Sequence, residues 1–308
     1  MTKKNTRTGG LDSITDIHRV LGLPAPLHPL ITLIDNTANQ INTANFPPYE
    51  VLHFYKIGCI TKAGRVRYGQ AYYDFTEGSM LFTAPNQVVG SDADYENLAG
   101  YALFIHPDFL QGYPLLNKIK KYGYFSYSSN EALHLSEQEK ALILAVFTII
   151  EQELNSRTDA FSQDVLVAQL ELMLTYAERF YKRQFNTRKV VTTELLQRFE
   201  DILNSFFGEE MILIQGVPTV GSIAEKLTLS PRYLSDLLRA RTGKNTQQHI
   251  HEKLLEKAKE KLSTTALSVS EVAYQLGFEH SQSFSKLFKL KTNLSPLEFR
   301  RSFSALGH

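Results

Sequence analysis

The sequence predicts a multi-domain α+β chain: an N-terminal β barrel or sandwich, a helical connector, and a C-terminal all-α domain with two helix-turn-helix motifs. Three observations predict it. Short apolar and aromatic runs divided by turn residues fill the first third, the pattern of an antiparallel β domain. From Ser136 the apolar period becomes helical. In the C-terminal third one sequence pattern occurs twice.

The chain has 308 residues, 43% hydrophobic and 21% charged. That is an ordinary globular composition, long enough for two domains, and it excludes global disorder, collagen and coiled-coil rods. Lys+Arg (33) and Asp+Glu (32) nearly cancel, so net charge points to neither nucleic acid nor membrane. Basic residues do gather locally, at 226–261 and 281–303, although such runs are most often solvated faces. The single cysteine, Cys59, excludes an intrachain disulfide and a cysteine-based zinc site and fits a reducing compartment. No apolar run approaches the roughly 18 residues of a membrane span. Residues 1–10 are polar and basic with no apolar run behind them, so no secretion signal is expected and a cytoplasmic location is.

Residues 1–135 read as the β-rich domain. A short helix is expected at 12–21, stopped by Gly22 and Pro24. Strands are expected within 49–60, 65–75, 80–83, 87–89 and 98–105, separated by turns at 62–64, 77–79, 85–86 and 91–92. Residues 136–185 read as two helices with wide apolar arcs, carrying Leu142, Val146, Ile149 and Ile150, then Val165, Leu166, Leu170, Met173 and Leu174. One side of each arc suits the β domain and the remainder a second copy of the chain, with Ile150 and Leu174 among the expected dimer contacts. Residues 186–193 are polar and read as an interdomain linker, short enough to couple the domains. Residues 194–308 form the helical domain.

The repeat carries the functional argument. Ile223-Ala224-x-x-Leu227 recurs as Val272-Ala273-x-x-Leu276, and the run from Leu234 to Gly243 recurs from Phe284 to Asn293. Each copy reads as a short helix, a turn and a longer helix. Ser230-Pro231 is an N-cap followed by proline at the first helical position. Gly243 and Asn293 are suited to the left-handed residue that ends a helix. Ala224 and Ala273 mark close helix approach. Between the copies, 246–263 reads as a spacer helix with Ile250, Leu254, Leu255, Ala258 and Leu262 buried and Lys253, Lys257 and Lys261 as a basic stripe. Such a helix spans about 27 Å, which suits two reading helices in successive major grooves about 34 Å apart.

The stretches Ser222-Ile223-Ala224, Ser230 to Ser235, Thr242-Gly243, Ala258-Lys259, Ser270 to Ala273, Leu276-Gly277-Phe278, Phe284 to Lys289 and Ser295 to Arg300 resemble the DNA-binding domain of AraC/XylS-type transcription regulators. The resemblance covers about residues 194–305, and the layout of the first 190 residues is similar to that of full-length members. It implies a cupin-like N-terminal domain with an effector pocket, and double-stranded DNA, a small-molecule effector, a homodimer partner and RNA polymerase as partners. The sequence departs from the family pattern at Leu254, where an Arg is common, at Asp236, where a basic or polar residue often faces DNA, and at Asn293, which replaces Gly.

On the first reading helix Tyr233, Leu234, Leu237 and Leu238 are expected to face the core, leaving Arg232, Ser235, Asp236 and Arg239 outward. On the second, Phe284, Leu287 and Phe288 face inward and Ser281, Gln282, Ser283 and Lys286 outward. Arg and Lys suit guanine, Gln adenine, and Asp a cytosine amine. Arg241, Lys244, Lys289 and Lys291 are expected on phosphates, which position without specifying. Helix starts at Thr219, Thr246 and Ser295 offer backbone N–H groups to phosphates.

In the β domain His53, Tyr55, Arg65, Arg67, Tyr72 and Tyr101 are the candidate effector residues, a mixture suited to a ligand with an aromatic or anionic part. A regulator without a ligand, controlled by abundance or a protein partner, is the second reading, and a cupin-type enzyme with a helical appendage a remote third. No cofactor, metal site or catalytic residue is expected. The nine histidines form no His-x-His pair with a nearby Glu in the β region, and no nucleophile elbow or phosphate loop occurs.

Overall fold

The computed structural model describes residues 11–37, 49–62, 64–68, 71–75, 78–90, 99–187 and 189–304, with 49–50, 64–68, 71–75, 88–90, 189–192, 209–210 and 303–304 described by backbone only. The chain forms two compact units, Met1–Gln184 and Phe185–His308.

In the N-terminal unit, α1 (Ile14–Val20) is held by a Ser13–Asp16 capping box and followed by Gly22 at φ +67°, as the expected stop requires. The strands are β1 (Ile31–Asp35), β2 (Tyr49–Leu52), β3 (Tyr55–Lys62), β4 (Gly64–Tyr68), β5 (Ala71–Phe75), β6 (Ser79–Thr83), β7 (Gln87–Gly90), β8 (Ala99–Ile105) and β9 (Leu133–His134). Five of them make an antiparallel sheet in the order β1-β8-β3-β6-β9, and β2-β7 and β4-β5 pair separately. The sequence reading missed β1 and β9. β9 is only two residues long, too short for a period, and β1 is a brief apolar run that periodicity cannot assign.

Alternation gives the five-stranded sheet two faces. One carries Tyr55, Ile57 and Cys59 of β3, with Phe82, Tyr101 and Leu103 beside them in the ladder. It packs on the helices: Tyr101 stacks on Phe147 at 5.3 Å, and Phe82 lies 6.2 Å from Tyr181. The other face carries Lys56 and Gly58, opposite Phe104 and Ala102 of β8 and Thr83 and Leu81 of β6. Its β1–β8 side, Ile34 and Phe104, is covered by Ile14 and Ile17 of α1 together with Leu52 and Phe54. A short helix α2 (Leu115–Lys118) lies in the segment joining β8 to β9.

α3 (Glu137–Asn155) starts at a Ser136–Glu139 capping box, and α4 covers Ser162–Thr187. Gln184 closes α4 onto β9, donating to the Ala132 carbonyl at 3.1 Å and accepting from His134 N at 2.8 Å. Ile150 and Leu174, expected at a dimer contact, are fully buried within this unit; the packing of α3 and α4 on the sheet consumes them. The outward apolar residues of α3 are Ala141, Leu142, Ala145 and Ile149; those of α4 are Ala168 and Leu172, with Phe161 exposed just before it.

The stretch 186–193, expected as a linker, is helical on either side of Arg188. α4 runs to Thr187 and α5 (Lys189–Phe206) begins after Arg188. Neither glycine nor proline occurs between Ser162 and Phe206, so no local signal stops a helix on either side of Arg188.

The C-terminal unit continues with α6 (Glu209–Gln215), α7 (Val220–Lys226), α8 (Pro231–Thr242), α9 (Thr246–Thr264), α10 (Val269–Gln275), α11 (Ser281–Thr292) and α12 (Pro296–Ser304). Both expected motifs form, α7–α8 and α10–α11, around one core that includes Ile223, Leu234, Leu238, Leu254, Val272, Phe284 and Phe288. Ala224 and Ala273 are fully buried. Ser230 caps α8 with Pro231 at the first position, and Gly243 and Asn293 end α8 and α11 in the left-handed region at φ 76° and 62°. Leu254 sits in the core of the spacer helix, filling apolar volume where an Arg is common.

Candidate functional site

The two reading helices carry their charges differently. On α8, Arg232, Asp236 and Arg239 line one face at helical spacing. Arg232 Nε donates to Asp236 Oδ2 at 3.0 Å, and Arg239 Nη1 lies 3.5 Å from Oδ1. The Asp236 side chain is only 18% exposed, against 49% and 54% for the two arginines. The acid thus stands between two cations whose outer ends face water. An arginine bonded through Nε keeps its two terminal nitrogens for an end-on fork, the geometry that meets guanine O6 and N7.

Ser235 corrects the expected face. It is half-buried, and its hydroxyl lies 3.1 Å from Thr246 Oγ1, pinning α8 to the start of α9. Thr246 is itself fully buried, and the cap of α9 is Asn245 in a box with Gln248. Thr246 therefore offers nothing to a phosphate. The reason is positional: a motif of two crossing helices buries the side of α8 that faces the next helix, and a serine there is a contact. Tyr233 is only partly buried.

The remaining basic residues near α8 are already engaged. Arg241 donates to the Asn186 carbonyl at 3.5 Å, and Lys244 pairs with Glu252 at 2.8 Å. Of the spacer stripe, Lys253 and Lys257 pair with Glu256 and Glu260, and Lys261 donates to Gln275. It is a solvated, internally balanced face.

On α11 the pattern is open. Gln282, Ser283, Lys286, Lys289 and Lys291 are exposed, and Ser281 is half-buried at the first turn. Among the described residues no carboxylate forms an ion pair with Lys286, Lys289 or Lys291. Phe284 and Phe288 are buried on the opposite side and Leu287 partly so, which leaves Gln282 and Lys286 as an outward pair four residues apart.

Of the candidate effector residues, the three whose side chains are described, His53, Tyr55 and Tyr101, are not brought together. Tyr55 is buried against Phe125, 5.2 Å between rings, and Tyr101 stacks on Phe147. Both lie on the sheet face that packs on the helical layer, because strand alternation puts odd positions of β3 there. His53 follows β2, with Nδ1 2.8 Å from Asn86 Oδ1 and Nε2 3.3 Å from Asp12. The side chains of Arg65, Arg67 and Tyr72 lie outside the described residues; in backbone register Arg67 stands opposite Tyr72. Burial pushes the Cys59 thiol up to about 12, so it is a core residue and no nucleophile. Sequence reasoning passed over Lys56, on the opposite face of β3. The signal was a lone lysine inside the apolar run Tyr55–Ile60.

Two family comparisons agree with this division of the chain. Residues 34–170 match the AraC-like ligand binding domain, and residues 223–302 match a helix-turn-helix domain. The chain belongs to the AraC family. Among AraC-type relatives, the Msm operon regulatory protein of Streptococcus mutans is 26% identical over 167 residues, 54% of this chain and 57% of that protein. The HTH-type transcriptional activator RhaS of Escherichia coli is 36% identical over 80 residues, 26% of this chain and 29% of that protein. The chain therefore spans little more than half the length of the first of these curated relatives and under a third of the second. The C-terminal domain of the response regulator YesN from Fusobacterium nucleatum is 33% identical, covering 33% of this chain and 96% of that domain, with a TM-score of 0.29; at that score the superposition adds no argument. No described helix is long and apolar enough to cross a membrane.

Proposed function

We propose that this chain is a sequence-specific DNA-binding transcription regulator controlled by a small-molecule effector in its N-terminal domain. The observation that carries the reading is the repeated helix-turn-helix with matched caps, which presents α8 and α11 from one core. The spacer α9, 19 residues, is about 28 Å long, close to the separation of successive major grooves. Gln282, Lys286, Arg232 and Arg239 are the base readers in this reading, with Lys289 and Lys291 on phosphates. Asp236 acts through the arginines it holds.

Dimerisation through Leu142, Ala145 and Ile149 of α3 belongs to the same proposal, since a twofold pair presents four reading helices to paired half-sites. Contact with RNA polymerase and the absence of catalysis are parts of it as well. Effector control requires that the ligand bind one arrangement of the protein better than another, and a coupling of about 1–3 kcal/mol changes operator affinity roughly 5- to 150-fold.

The test is a mobility-shift competition with the full chain over genomic fragments at moderate salt. A fragment that outcompetes bulk DNA supports the reading, and uniform competition by all fragments overturns it.

A further inference from the structure

Lys56 is an unusual residue for a sheet interior. It is the second residue of β3, the middle strand of the five-stranded sheet, opposite Phe104 of β8 on one side and Thr83 of β6 on the other. Its ammonium sits 5.7 Å from the centre of the Phe104 ring. Among the described residues no carboxylate pairs with it and no hydrogen bond reaches it, and burial holds its pKa below the usual lysine value with no opposing charge. The side chain is half-buried; a charge held there without a described partner costs free energy, and the aromatic face offsets part of that cost. Functional sites are where such costs persist.

Beside Lys56 the same face continues with half-buried residues. Gly58, two residues along β3, stands opposite Ala102 and Leu81. A methyl group added at Gly58 would meet nothing among the described residues closer than 3.9 Å, on Leu81. The described floor is therefore one cation, one hydroxyl at Thr83, and an apolar surface of Leu81 and Ala102, with Phe104 buried beneath α1. One cation balances one negative charge, and the apolar surface suits a hydrocarbon body.

We propose that Lys56 anchors the carboxylate of a small monoanionic ligand whose apolar part lies over Gly58 and Leu81. The inference rests on reading the N-terminal unit as the ligand-binding domain, and it names the class of ligand that domain takes. Neutral polyols leave the ammonium uncompensated, and a dianion carries a charge the described face does not balance.

The experiment is thermal melting of the full-length protein without DNA, with hexanoate as the probe and its neutral amide, hexanamide, as the control. Hexanoate raises the melting temperature by about 2–4 °C at saturating excess, and hexanamide leaves it unchanged. Lys56→Met melts higher than the parent without ligand, because a charge with no partner among the described residues is gone, and no longer responds to hexanoate. Gly58→Val folds as the parent does and also loses the response, because the space is filled. The proposal is overturned by an equal response to acid and amide, by a Lys56→Met protein that still responds, or by a parent protein that responds to no carboxylate from acetate to decanoate. Because the readout needs no DNA, that failure leaves operator binding standing. Failure of the DNA-binding reading shows only in the mobility-shift competition.

Discussion

Thr228 and Gly277 occupy the same place in the two helix-turn-helix motifs, each one residue after the first helix's closing leucine, and both are in the left-handed region at φ 57° and 80°. Thr228 pays for that conformation as a β-branched residue. Gly277 does not, and it also permits a close approach: a Cβ there would fall 2.8 Å from the Gly216 carbonyl carbon. The second motif is thus locked against the α6–α7 turn through two glycines, and the first is not.

From this asymmetry, Thr228→Gly is expected to stabilise the C-terminal unit by up to about 1 kcal/mol. Gly277→Ala is expected to destabilise it by about 2 kcal/mol or more. Urea unfolding followed by far-UV circular dichroism reads both. An unchanged midpoint for Gly277→Ala would show that the backbone contact yields at little cost.

Asp236→Ala releases Arg232 and Arg239 from their shared carboxylate. Affinity for bulk DNA should rise and its salt dependence steepen by about one counterion or more. Discrimination between operator and mismatched sites should fall by about 1 kcal/mol, because the arginines lose their fixed direction. Competition titrations at two salt concentrations separate the two effects, and a loss of affinity for all DNA would reject the clamp.

On α11, Gln282→Ala or Lys286→Ala should relax discrimination at particular base pairs by about 1–3 kcal/mol. Lys291→Ala should weaken all sequences alike and flatten the salt slope. Binding profiles over single-base operator variants tell these apart; identical profiles would mean that the outward face has been misassigned.

For the dimer, Leu142→Glu and Ile149→Glu place a charge on the exposed stripe of α3 and should give a folded monomer with weaker operator binding. Leu174→Glu and Ile150→Glu bury a charge in the N-terminal core and should unfold that unit, at a cost of about 3 kcal/mol or more. Sedimentation combined with circular dichroism distinguishes a folded monomer from an unfolded chain. A Leu142→Glu protein that sediments like its parent would remove α3 from the interface.

The helical domain was legible in the sequence because its rules are local. Ser230-Pro231, Gly243 and Asn293 act on their own backbone, and the repeat doubles each signal, so caps, helix order and the buried alanines follow from residues within a few positions of one another. What the tertiary structure decided are the relations that cross between elements. Sequence spacing put Ser235 outward, and the start of α9 turned it inward onto Thr246. Composition made Tyr55 and Tyr101 ligand candidates, and strand register set them against the helices while leaving Lys56 on the other face. A one-residue step along a strand exchanges the two faces, and no local pattern states which face meets α3 and α4 and which carries a half-buried charge.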